Sequence, residues 1–177
     1  MYTAPTDPGT ESITIAVDEQ DLQAAVADTV ITGEQPFDAN GGRLDADEEV
    51  RLAGLMGTVF GDLSGSIITT TGPGLNPGLS VSDIGVETSF DGDGQCDGLS
   101  LRLWYDFEAA DGSVLHHSSR PIWLRRIDPA VDMPTESSDG SLPEQLVAFA
   151  LTCLAEAQRC ARAEIEFFTA LLRGARP

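Results

Sequence analysis

Residues that could do chemistry are few, and the first cluster is acidic. Asp91, Asp93 and Asp97 stand in DGDGQCDG, a Gly-rich run whose oxygens could hold Ca²⁺. The spacing departs from a calcium loop. Counted from Asp91, the sixth position is Cys96, where glycine is needed, and the twelfth is Arg102, where glutamate is needed. The run therefore reads as a connection between two strands. His116 and His117 are the only histidines. Adjacent strand residues point to opposite faces, so the two cannot ligate one metal ion. Asp106, His117 and Ser118 or Ser119 supply the residue types of a hydrolase triad, but no nucleophile-elbow pattern accompanies them. GPGLNPG, residues 72–78, lacks the Lys and Ser/Thr of a phosphate loop. Cys96, Cys153 and Cys160 form no C-x-x-C and no metal spacing. Cys153 and Cys160 lie seven apart, on one face of a predicted helix, and read as small buried hydrophobes. The residues call for no catalytic centre, no cofactor and no metal. The expectation is a non-enzymatic protein.

A second constellation is suited to recognition. Leu99, Leu101, Leu103, Tyr105 and Phe107 alternate with Ser100, Arg102, Trp104, Asp106 and Glu108. This is the pattern of a half-buried antiparallel strand. Asp111-Gly112 is a hairpin turn signal. If it is a two-residue turn, partner numbers sum to 223. Trp123 then faces Ser100, Trp104 faces Ser119 and Asp106 faces His117. Arg102, Trp104, Trp123 and Arg125 would share the face opposite the leucine row. Trp and Arg dominate interface hot spots, so these four are candidate interface residues.

The elements that must position them follow from pattern. Residues 1–11, with Pro5, Pro8 and Gly9, read as a flexible leader before one domain spanning 12–177. Residues 12–17 alternate as a short strand. Asp18 can cap a helix to about Val30, and Asp45 with Glu48 opens a second helix ending near Gly57 or Gly61. Strands are predicted over 66–71, 81–90, 99–108 and 113–127. Ser141 and Glu144 make a capping box for the longest element, about 142–173, stopped by Gly174. Its first half is apolar nearly all round and should be buried on several sides. Its second half narrows to the stripe Ala161, Ile165, Phe168 and Leu172. The fold class is α+β: an antiparallel β-meander with two N-terminal helices and one long C-terminal helix across a sheet face. In element order alone this is similar to the helix-grip topology, with five strands where that topology has about two more.

Composition excludes several partners. The chain has 177 residues, 29 Asp and Glu, ten Arg and no Lys, for a net charge of -19. Residues 1–100 hold 18 acids against two arginines, Arg43 and Arg51. Such a field repels phosphate, which argues against direct nucleic-acid binding and against docking on anionic membranes. An odd cysteine count and no secretory signal point to the cytoplasm. The long helix measures roughly 48 Å at 1.5 Å per residue, against a domain diameter of roughly 40 Å. Its stripe Ile165, Phe168 and Leu172 would then be covered by another chain. The expected function is protein–protein interaction or assembly, with a protein partner or a second copy, through that helix and the Trp/Arg face. Two other classes fit the sequence: a small-molecule-binding helix-grip-like domain, with room left by Ala150, Cys153, Ala157 and Cys160, and an acidic inhibitor that mimics nucleic acid.

Overall fold

The computed structural model describes residues 2–3, 13–37, 44–71, 79–94, 96–108, 111–119, 121–126 and 140–174. In chain order the elements are β1 (Tyr2–Thr3), β2 (Ile13–Val17), α1 (Glu19–Thr29), α2 (Ala46–Leu63), β3 (Ile68–Thr71), β4 (Leu79–Phe90), β5 (Cys96–Glu108), β6 (Val114–Ser118), β7 (Ile122–Arg126) and α3 (Leu142–Gly174). The fold is α+β, with a long C-terminal helix. No helix among the described residues is long and apolar enough to cross a membrane.

The helices start where their caps sit. The Asp18 carboxylate accepts the Gln20 N–H at 2.8 Å, and Asp45 accepts the Glu48 N–H at 2.9 Å. At α3 the Glu144 carboxylate accepts the Ser141 N–H at 2.8 Å and the Ser141 hydroxyl at 3.0 Å. Helix α2 runs through Gly57 and Gly61 to Leu63, beyond the expected end. Both glycines face open space, while Val59, Phe60 and Leu63 are buried. Burial of three large side chains outweighs a helix penalty of about 1 kcal/mol per glycine.

The strands form two sheets, not a single meander. One is β1-β2-β3. In the other, β5 pairs with β4 along one edge and with β6 and then β7 along the other. All pairings are antiparallel. The strand expected over 113–127 is broken between Ser118 and Ile122. There Ser119 turns its hydroxyl to accept the Leu103 N–H at 2.9 Å, and Pro121 cannot donate to the ladder. At the start of the expected leader, Tyr2 and Thr3 pair with Val17 and Ala16, so they form a strand there.

Helix α3 packs on β2 of the first sheet, on β5 and β7 of the second, and on α1; α2 packs on β4 and β5. The core joins Leu101 and Leu103 of β5 to Met56 and Phe60 of α2 and to Leu146, Cys153 and Ala157 of α3. Burial on α3 follows one stripe from Leu142 to Ala161. Val147, Ala148 and Leu151, in the half expected to be buried on several sides, are half-buried, and Val147 and Leu151 pack against the edge of the core. Polar clasps lock the helix in place. The Gln158 side chain accepts the Ile15 N–H at 2.9 Å. Gln145 accepts the Phe37 N–H at 2.8 Å and donates to the Phe37 carbonyl at 3.0 Å. The Arg51 guanidinium lies 4.0 Å above the Phe37 ring. Tyr105 donates its hydroxyl to the Glu164 carboxylate, tying β5 to α3.

Candidate functional site

Strand β5 carries two unlike faces. Leu101, Leu103 and Tyr105 are buried in the core. On the other face Arg102, Trp104 and Asp106 are half-buried, while Ser100 is covered. Trp104 sits across from Asp83, and its ring reaches over Gly85. A Cβ built at Gly85 would meet the indole at 2.7 and 2.8 Å. Glycine in mid-strand is thus the seat of the tryptophan. Beside it the Arg102 Nε bonds both Glu87 carboxylate oxygens at 3.2 Å, and its Nη1 donates to the Ser119 carbonyl at 3.2 Å. On the other side Asp106 meets His116 Nδ1 at 2.6 Å. The indole therefore stands between two polar partnerships, Arg102–Glu87 and Asp106–His116.

The register corrects several expectations. Glu108 pairs with Val114, so partner numbers sum to 222 and Asp111-Gly112 is not a two-residue turn. Asp111 instead accepts the Ser113 N–H at 2.9 Å and its hydroxyl at 2.6 Å, while Gly112 takes a positive φ of 81°. The register of β6 is shifted by one residue from the expected one. Asp106 faces His116, not His117, and Trp104 faces Ser118, not Ser119. His117 lies opposite Tyr105 and stacks on its ring at 5.6 Å between centroids. The three residue types of a triad are thus spread over different partners, and Ser119 is buried in a bond to Leu103. After the break the register returns to the expected one, with Trp123 opposite Ser100. A further shift puts Arg125 opposite Leu99, out of the Ser100 row. Arg102 and Trp104 are brought together; β7 carries Trp123 and Arg125, whose side chains lie outside the described residues.

The remaining candidates fall on α3. Its backbone carries Ile165, Phe168 and Leu172, whose side chains also lie outside the described residues. Ala161, the first residue of that stripe, is completely buried in the chain's own core. Cys153 is fully buried and Cys160 half-buried. Burial pushes both thiols up, and the nearby Glu156 carboxylate adds to it. Both stay protonated at neutral pH and are poor nucleophiles. The connection expected over 91–98 is shorter, since β5 begins at Cys96; in it Asp91 accepts the Asp93 N–H at 2.9 Å, and its carbonyl accepts the Gly94 N–H at 3.1 Å. That is a turn closed on itself; among the described residues no cluster of His, Cys, Asp and Glu could hold a metal ion.

Sequence reasoning passed over Gly85 and Glu87. The signal for Gly85 was present, since an isolated glycine in a strand marks a close approach. The diagonal Arg102–Glu87 pair needed the β4–β5 register. No family model, curated protein or solved structure matches this chain.

Proposed function

We propose that the chain is a non-enzymatic subunit for protein–protein interaction or assembly, recognising its partner through the Trp104 face of β5 and the distal part of α3. One observation carries the reading. Trp104 is half-buried on its seat at Gly85, flanked by Arg102–Glu87 and Asp106–His116. A fixed aromatic ringed by satisfied polar groups loses little conformational entropy on binding, which is what a hot spot requires. Of the four small residues that raised the small-molecule alternative, Cys160 is half-buried. Ala150, Cys153 and Ala157 keep no surface for even a water molecule to touch, so they let the helix lie directly on its neighbours.

Light scattering at micromolar concentration tests the proposal. The expected result is a mass above one chain, or a partner co-purifying in fixed ratio. Trp104→Ala and the pair Phe168→Asp with Leu172→Asp should each reduce it while the protein stays folded. A monomer that binds nothing, or variants that keep the wild-type mass, would sink the reading.

A further inference from the structure

Asp83 of β4 and Trp104 of β5 stand directly opposite each other, so their Cβ atoms lie roughly 5 Å apart on one face of the sheet. Each is a group that attracts a cation. Asp83 is exposed, and its carboxylate accepts the Ile84 N–H at 2.8 Å. Among the described residues no arginine or histidine pairs with it. Trp104 is half-buried, with its ring resting on Gly85. Arg102, two residues along the same strand, is the nearest cation in sequence. It is turned instead to Glu87 and to the Ser119 carbonyl. Among the described residues the cation stacked on a ring is Arg51, over Phe37, and none lies on the Trp104 indole.

The surroundings carry the same sign. Glu87, Asp106 and Glu108 project on the Trp104 side of the sheet together with Asp83, against Arg102 and His116. Glu87 is taken up by Arg102 and Asp106 by His116, while Glu108 is exposed like Asp83. Arg120 follows β6 and lies outside the described residues. With its full charge counted, this face still sets four acids against Arg102, Arg120 and His116. Arg125 stands opposite Leu99, five residues from Trp104 along β5. That is roughly 16 Å, beyond a Debye length of about 8 Å at physiological salt. An aromatic ring beside a carboxylate in a field of this sign selects a cation. Arginine answers both groups at once, because its planar guanidinium lies flat on an indole while its fork bonds a carboxylate.

We propose that Asp83 and Trp104 form a clamp for an arginine side chain of a partner protein, with the guanidinium on the indole and donating to the Asp83 carboxylate. The clamp rests on the reading of the chain as a binding subunit and names its partner's chemistry. The ring is already seated on Gly85, and Asp83 is already tied to the Ile84 N–H, so neither side chain loses much freedom when the arginine arrives. Glu108 attracts further basic residues of the same partner and speeds its approach. A second copy also carries a net charge of -19, and repulsion between copies opposes it as the source of the arginine.

The probe is a short fluorescein-labelled peptide of alternating Thr and Arg, capped at both ends and followed by anisotropy at about 0.15 M NaCl. Its controls are the Lys–Thr counterpart, of equal charge, and a citrulline–Thr peptide, of similar shape without the charge. The Arg–Thr peptide should bind wild-type protein and shift the Trp104 indole N–H signal in NMR, assigned by its loss in Trp104→Phe. The Lys–Thr peptide should bind about fivefold more weakly, and the citrulline–Thr peptide should not bind. Trp104→Ala and Asp83→Asn should each weaken Arg–Thr binding about fivefold. Asp62→Asn removes the same charge from exposed Asp62 on α2 and should change it by no more than about twofold. No binding of Arg–Thr, equal binding of Lys–Thr, an unmoved Trp104 signal, or equal losses in Asp62→Asn and Asp83→Asn overturns the clamp, and the first two do so without any protein variant. If the peptide fails while Phe168→Asp with Leu172→Asp dissociates an assembly, the clamp falls and the subunit reading stands. A doubled mass that Asp83→Asn halves assigns the arginine to a second copy and overturns the separate partner.

Discussion

Single side chains decide where this molecule is rigid. Trp104 keeps its place because Gly85 leaves a flat floor beneath the indole. Gly85→Ala forces a methyl group to within 3 Å of two ring carbons, so the ring must lift or the strand must bend. The expected cost is about 1–2 kcal/mol, the low end of overpacking because the ring can swing toward solvent. Urea unfolding should show it, together with a red shift in tryptophan emission; an unchanged spectrum would mean the ring does not rest there. Gln145 does a different job. Its amide satisfies both the N–H and the carbonyl of buried Phe37. Gln145→Ala leaves both groups without that partner and should cost about 1–3 kcal/mol in the same assay. A midpoint equal to wild type would show that another donor and acceptor replace the amide.

At the scale of elements, α3 depends on how it begins. The Ser141 N–H, followed by its hydroxyl, holds the Glu144 carboxyl below its ordinary range. A carboxyl whose folded pKa is depressed contributes stability above its unfolded pKa, and that contribution is lost as pH falls through the folded value. Glu144→Gln should therefore destabilise the protein near neutral pH and cancel that part of the acid dependence. Melting temperatures of the two proteins should converge as pH is taken from about 6 to about 3. A gap that stays constant over this range would show that the cap does not depend on the charge. The stripe from Leu142 to Ala161 sits in the core, so loosening this first turn loosens the contact with both sheets.

The whole molecule carries its acids unevenly, and the imbalance acts on stability as well as on partners. With 29 acids, ten arginines and no lysine, self-repulsion opposes compaction. Raising NaCl from about 0.05 to about 1 M shortens the Debye length from roughly 14 to 3 Å and should raise the melting temperature steadily. A melting temperature that falls with salt would mean that ion pairs such as Arg102–Glu87 outweigh the repulsion.

Sequence alone determined what depends on neighbours in the chain. Periodicity of 3.6 located α1 and α3, and alternation located β5, because amphipathic burial imposes those periods on any fold. Asp18, Asp45 and Glu144 marked helix starts, since a cap answers N–H groups within three residues of itself. The faces of β5 were legible too: Leu101 and Leu103 are core, while Arg102 and Trp104 look outward. Tertiary structure decided whatever depends on distant partners. The end of α2 is set by burial of Phe60 and Leu63, not by the glycines before them. Glu108 pairs with Val114, and that one-residue shift gave Asp106 to His116 instead of His117. The break at Ser119 split one expected strand into two, and a register shift within β7 set Arg125 opposite Leu99. A one-residue slip costs almost nothing locally, yet it changes every partner across the strand. Register is therefore settled by the packing of a whole sheet, and the seat of Trp104 and its pairing with Asp83 both followed from it.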